Sequence, residues 1–223
     1  MITSTKKNKV IIFGADSDLA KSIINLFKKN YDLIGFSKKQ SNKKILNLKC
    51  NFKNKLNIFA KTKNIISKKN SIQSIIISIG KFNKSLENYD RDLSEDFLIT
   101  KNILEIVIKN IVKENLEINI IIITSMDAFV PNTNSFKYSI GKSSISTLIK
   151  LYKKKYKKYK LNFFELAPGP INTRMRSGKK ENKNNLLQPI DVAKICFALS
   201  EINKNVDMDT IKIYPKKWSF NFN

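Results

Sequence analysis

No histidine occurs anywhere in this chain. That single absence excludes the Ser-His-Asp and Cys-His nucleophile schemes and nearly all familiar zinc enzymes. Cysteine is scarce too: Cys50 and Cys196 cannot build a disulfide framework or a structural zinc site, and no metal site is expected. Acid–base chemistry therefore falls to Tyr, Lys, Asp, Glu or Cys. Long apolar runs are also missing. Met1 to Lys9 is polar and basic, and the apolar stretch after it is only Val10–Phe13. The longest candidates, Ile75–Ile79 and Ile118–Thr124, have strand length. A spanning helix needs roughly 18 apolar residues, so the chain reads as cytoplasmic with no membrane partner.

Arginine is the next scarcity, with 3 against 39 lysines, although the net charge is +24. A protein that reads bases favours the bidentate arginine fork. Lys, Asn and Ile together make 100 of the 223 residues, and all three have AT-rich codons. Codon drift accounts for the charge, and no nucleic-acid partner is expected.

What is present has the size of one domain, 1–223. Short β-branched runs alternate with helical patterns, which predicts an α/β fold with a doubly wound parallel sheet. The runs are Lys9–Gly14, Tyr31–Phe36, Lys44–Cys50, Ser71–Gly80, Ile118–Ser125, Leu161–Ala167 and Thr210–Tyr214. Helices are expected over Asp18–Lys29, Ser94–Lys113 and Ser139–Tyr159, each with an apolar stripe, and over Ile190–Glu201, which follows Pro189 as a first-turn proline. The lysine- and tyrosine-rich run Lys150–Lys160 reads as the solvated end of the third of these. Arg174–Gln188 is too long and polar for a tight turn, and such a loop is either disordered or functional.

Three motifs carry chemistry. Gly14-Ala15-Asp16-Ser17-Asp18-Leu19-Ala20 joins the first strand to a helix, where a glycine turn and free N–H groups suit a pyrophosphate. The alternative is an ordinary strand–turn–helix capped by Asp16 or Ser17. Tyr138 and Lys142 stand four apart, hence on one helix face, and a lysine there is expected to lower the phenol pKa. Ser125, thirteen residues before Tyr138, closes an apolar strand. Finally, Leu161–Ala167 runs into Pro168-Gly169-Pro170-Ile171-Asn172-Thr173.

Taken in order, these motifs resemble the short-chain dehydrogenase/reductase family from about Lys9 to Tyr214, with Ser78-Ile79-Gly80 in the turn after the fourth strand. The resemblance implies a Rossmann-like sheet of about seven strands and a hydride-transferring oxidoreductase that interconverts a carbonyl and an alcohol. Tyr138 would be the acid/base, Lys142 its electrostatic partner and a ribose ligand, and Ser125 the group that orients the substrate oxygen. Gly14, Ser17, Asp18 and Leu19 would meet the cofactor phosphates, Asn51 and Phe52 the adenine, and Ser78 and Gly80 the turn beside it. Pro168, Gly169, Ile171 and Thr173 would meet the nicotinamide. The family's helix Asn falls on Asp92 or Asn102, and its C-terminal Gly-Gly turn is replaced by Ile213–Trp218.

Ser37 and Lys38, followed by Lys39, end the second strand where an acid would favour NAD(H). NADP(H) is therefore the expected cofactor. Residues 174–188 are expected to form a substrate lid, and Arg174 and Arg176 in it point to an anionic substrate or to the cofactor's own phosphates. The family pairs the helices at Ser94–Lys113 and Ser139–Tyr159 across a two-fold axis, which implies a homodimer or homotetramer. A second reading is a dinucleotide-binding sensor or interaction protein of the same fold that has lost catalysis.

Overall fold

A computed structural model describes residues 7–80, 95–131, 135–176 and 183–217. Its elements are β1 (Lys9–Phe13), α1 (Asp18–Phe27), β2 (Asp32–Ser37), β3 (Leu46–Lys49), α2 (Lys55–Thr62), β4 (Ile72–Ile77), α3 (Glu95–Lys113), β5 (Ile118–Ile123), α4 (Phe136–Lys155), β6 (Leu161–Pro168), α5 (Pro189–Glu201) and β7 (Ile211–Ile213). The strands form one seven-stranded sheet in the order β3-β2-β1-β4-β5-β6-β7, and every pairing is parallel.

Alternation along each strand divides the core in two. Ile11, Phe13, Ile75, Ile77, Ile120 and Ile122 face the side covered by α2, α3 and α4. Val10, Ile12, Ile76, Ile121 and Ile123 face α1 and α5. Burial on both faces explains why the strands read as unbroken isoleucine runs, each such side chain adding about 1.5–3 kcal/mol. Asn119 sits inside β5, fully buried, and donates to the carbonyls of Leu199, Ser200 and Ile202, closing the end of α5.

The expected strands and four helices all occur, with ends shifted by a few residues. Two features differ. α2 has no apolar stripe, since only Ile58 and Thr62 are buried while Leu56 and Phe59 are exposed. α4 begins three residues earlier than expected and stops at Lys155; Tyr152 within it and Tyr156 and Tyr159 beyond it pack against the core. Among the described residues no helix is long and apolar enough to cross a membrane. No group of three or more His, Cys, Asp or Glu able to hold a metal occurs among them either.

Strand order reverses between β1 and β4, because β2 and β3 extend one way from β1 and β5 to β7 the other. In an open parallel sheet this reversal leaves a crevice at the carboxyl ends of the two strands. The chemistry-bearing residues converge on it.

Candidate active site

At the end of β1, Gly14 turns the chain with φ +88, and its N–H donates to the Phe36 carbonyl at 2.8 Å. Ser17 caps α1, its Oγ accepting from the Ala20 N–H at 3.0 Å. Leu19 is buried in the core. Asp18 occupies the first turn of α1, where a negative charge complements the helix dipole. Arg174 reaches it from the segment after β6: Nε lies 2.9 Å from both carboxylate oxygens, Nη2 2.7 Å from Oδ1, and the Arg174 N–H 3.0 Å from Oδ2. These bonds hold the Asp18 carboxyl down at about 2. The guanidinium expected at an anionic substrate or at the cofactor's phosphates is thus held on the phosphate loop by Asp18.

The end of β2 is more acidic than its own residues imply. Ser37 is buried, donates to Asn47 Oδ1 at 3.1 Å and accepts from the Gln40 N–H at 3.0 Å. Asp16, from the loop after β1, accepts from the N–H groups of Ser41 and Asn42, both at 3.0 Å, and from Asn47 Nδ2 at 2.9 Å. Burial opposes its charge, but these donors hold its pKa below the usual value. Its Oδ2 is buried without a hydrogen-bond partner. Lys38 lies 3.2 Å from Glu95, which Lys53 also approaches at 3.3 Å. Asn51 accepts from the Lys53 N–H at 3.1 Å. Phe52 is a core side chain, 2% exposed, with its ring edge-on to Phe13, so only its backbone is available to an adenine.

Ser125, Tyr138 and Lys142 meet beside the crevice. Ser125 follows β5 and caps the short 3-10 helix Met126–Ala128; it is hydrogen-bonded with the phenol of Tyr138, in the first turn of α4. Lys142, one turn on, is 2% exposed and lies with its Nζ 5.3 Å from the Tyr138 ring centre. Its ammonium donates to the Ile79 carbonyl at 2.8 Å and lies 3.6 Å from Asp96 Oδ2. The turn after β4 thus anchors Lys142: Ser78 N–H donates to Phe13 at 2.9 Å, and a Cβ on Gly80 would come within 3.0 Å of the ammonium. Half-buried Tyr138 has its phenol pushed up, not down. Burial outweighs the downward pull of Lys142 and of the Ser125 hydrogen bond, and the carboxylates of Asp127 and Asp96 oppose that pull.

Asp96 is a residue that sequence reasoning missed. Of the two expected helix positions, Asp92 lies outside the described residues. Asn102 is buried beneath the turn at Phe52, with its Nδ2 3.3 Å from the carbonyls of Phe52 and Lys53. The α3 side chain facing Lys142 is Asp96. Cysteine chemistry falls away here, since burial pushes Cys50 up to about 11 and Cys196 up to about 12.

Past β6 the Pro168-Gly169 turn is tied to β7, Gly169 N–H donating to Ile213 at 2.7 Å. Ile171 bridges to Leu187, and the Thr173 carbonyl accepts from the Arg176 N–H at 3.0 Å. Of the expected lid, residues 177–182 lie outside the described ones. Beneath the site, buried Glu165 accepts from Thr124 at 2.8 Å, Ser146 at 3.0 Å and Thr210 at 2.9 Å, tying β5, α4 and the approach to β7 to β6.

The family model for short chain dehydrogenases matches residues 8–184. The chain belongs to the short-chain dehydrogenase/reductase family. Members are generally NAD(P)-dependent oxidoreductases acting on alcohols or carbonyls. The family's fold is also that of a short chain dehydrogenase from Burkholderia cenocepacia in complex with NADP, 14% identical, TM-score 0.78, covering 93% of this chain and 88% of that one. A betaketoacyl-[ACP] reductase from Bacteroides thetaiotaomicron is 18% identical with TM-score 0.78, over 95% and 98% of the two chains. The serine dehydrogenase of Escherichia coli is 14% identical with TM-score 0.77, over 95% and 100%. No curated protein matches the sequence. At these identities the neighbours establish the fold.

Proposed function

We propose that this family member is an NADP(H)-dependent oxidoreductase interconverting a carbonyl and an alcohol, with Tyr138 as acid/base. The observation that carries the reading is the convergence of Ser125, Tyr138 and Lys142 from β5 and α4 on the β1/β4 crevice. The crevice fits a dinucleotide: Gly14 and the start of α1 suit the pyrophosphate, and the unpartnered Asp16 Oδ2 is an acceptor suited to a ribose hydroxyl. Lys142 would hold the nicotinamide ribose, with Ile171 and Thr173 at the carboxamide. The cofactor, when bound, supplies or accepts the hydride. Tyr138 holds a proton at Oη and passes it to the substrate oxygen. A phenol pushed up by burial is protonated at neutral pH, which suits donation during carbonyl reduction. Arg174 is paired with Asp18 at the surface, and an exposed pair exchanges at little cost, so an anionic substrate group or the cofactor's phosphates can recruit it. A panel of carbonyl compounds should include one that drives NADPH oxidation, read by absorbance; no turnover with any of them, alongside tight NADPH binding, would favour the sensor reading.

Lys38 and Lys39 support NADP(H), and the surface bond from Lys38 to Glu95 is of the kind that exchanges at little cost. Asp16 supports NAD(H), because its charge would repel a 2′-phosphate nearby. Fluorescence titration separates the two. NADPH is expected to bind more tightly than NADH, and Lys38→Asp to reverse the order. Tighter NADH binding by the unmutated chain would assign the choice to Asp16.

We also take the chain to be a cytoplasmic homodimer or homotetramer. Free, buried Cys50 and Cys196 are compatible with a reducing compartment. An apolar groove of about 580 Å³, lined by Phe97, Phe136, Ile140, Leu148 and Leu151, runs along the outer face of α3 and α4. Phe136, Ile140 and Leu151 are exposed on it, and a second copy would cover them. Light scattering at micromolar concentration should give twice or four times the 25.7 kDa chain mass. Leu151→Asp should shift it to the monomer; a monomeric unmutated chain would refute the assembly.

A further inference from the structure

Two lysines from different elements meet on one carboxylate oxygen at the carboxyl edge of the sheet. Lys38 comes from the end of β2 and Lys53 from the turn before α2. Their ammoniums lie 3.2 Å and 3.3 Å from Oε1 of Glu95, the first residue of α3. The backbone beneath both lysines is fixed. The carbonyl of Ser37, next to Lys38, accepts the Cys50 N–H at 2.9 Å, which ties the end of β2 to the end of β3. The Lys53 N–H donates to Asn51 Oδ1 at 3.1 Å, and the Lys53 carbonyl accepts from Nδ2 of buried Asn102 at 3.3 Å.

The side chains above those fixed positions are free to exchange partners. The two lysine side chains are 55% and 58% exposed, against 30% for Glu95, and pairs so exposed add little to stability. What the cluster does is gather two ammoniums onto a single oxygen against their mutual repulsion. A phosphate monoester asks the same of two lysines, and with close to two charges it attracts them more strongly than one carboxylate does. The place agrees, since Lys38 follows the strand end where the adenosine ribose of a dinucleotide is read. Asp16 puts a negative charge at that same corner. One ammonium only offsets it, whereas two leave the corner positive. Glu105 holds two lysines as well, Lys55 and Lys101, but it lies about 15 Å further along α3 by the helical rise, away from the strand ends.

We propose that Lys38 and Lys53 together seat the 2′-phosphate of the dinucleotide, and that Glu95 is the internal counter-ion which this phosphate displaces. Binding then exchanges one anion for another: the phosphate takes both ammoniums and the Glu95 carboxylate turns to solvent. Lys53 and Glu95 are thereby specificity-determining residues, acting only on the cofactor that carries the phosphate. The inference rests on the dinucleotide reading above and goes beyond it in naming the second cation and the competing acid.

The test is the ratio of NADPH to NADH affinity, measured by fluorescence titration, so it needs no turnover. Lys53→Gln should lower the preference for NADPH about tenfold while leaving NADH nearly unmoved, and Lys53→Arg should keep it. Glu95→Gln removes the competitor and should raise the preference about threefold. Adenosine 2′,5′-bisphosphate compared with adenosine 5′-monophosphate should reproduce both shifts, because neither carries a nicotinamide. Equal loss of NADPH and NADH affinity in Lys53→Gln overturns the proposal, as does a ratio that this substitution leaves unmoved. A ratio unmoved or lowered in Glu95→Gln overturns the displacement of Glu95. Circular dichroism checks that each variant is folded; if Lys53→Gln is not, the direction of the Glu95→Gln shift decides alone. The reading and the inference fail separately. Tighter NADH binding by the unmutated chain removes the NADP(H) reading, whereas the inference stands or falls on the direction in which the substitutions move the ratio. Binding of neither dinucleotide overturns both.

Discussion

Tyr138→Phe is expected to lower turnover by about 10²–10⁴-fold while leaving NADPH binding nearly intact. The ring remains to pack against its surroundings, and only the group that carries the proton is gone. Lys142→Met should harm both turnover and cofactor affinity, because its buried ammonium, held by the Ile79 carbonyl and Asp96, faces the phenol and the ribose position alike. The pH dependence carries a sign. The phenol is raised by burial, so carbonyl reduction, which needs the protonated form, should persist through neutral pH and fall as pH rises through the raised value. Alcohol oxidation needs the phenolate and should climb over the same range. Steady-state kinetics in both directions reads this directly. Near-full activity in Tyr138→Phe would remove the tyrosine from the mechanism.

The parts legible in the sequence are those fixed by local pattern. Isoleucine runs marked the strands because burial on both faces demands apolar side chains at every position. The spacing of Tyr138 and Lys142 placed them on one helix face because periodicity alone does that. Tertiary pairing was not legible. Arg174 meets Asp18 across 156 residues and Lys38 meets Glu95 across 57, and neither leaves a trace in either segment. Asp96 faces Lys142 only because α3 packs against α4, a contact hidden from a count of residues to Ser125. The direction of the Tyr138 shift was misread for the same reason. A lysine four residues away is visible in the sequence, whereas burial and two carboxylates from other elements are not.

Gly14→Ala should be the most damaging single-methyl addition among the described glycines. Gly14 sits at φ +88, a region that costs a residue with a side chain of order 1–3 kcal/mol. An added Cβ would also stand 2.2 Å from the Ser78 carbonyl oxygen and 3.0 Å from its carbon, both backbone atoms held by the β1–β4 pairing. Neither can swing aside as a flexible side chain would. Relief requires β1 and β4 to part at their carboxyl ends, where the Gly14 N–H is already tied to Phe36 and the Ser78 N–H to Phe13. Strain and overpacking together should cost about 3 kcal/mol or more, which for a chain of this size is roughly a 6–12 °C fall in Tm. Gly80→Ala is the contrast, because the Cβ there meets the ammonium end of Lys142 at 3.0 Å rather than backbone. It should cost less stability than Gly14→Ala while displacing Lys142 from the Ile79 carbonyl, so turnover falls more than Tm does. Thermal unfolding of both variants, followed by circular dichroism, checks the order. If Gly14→Ala melted within a degree or two of the unmutated chain, the close approach of the two strand ends at the crevice would be wrong, and with it the geometry that admits a dinucleotide there.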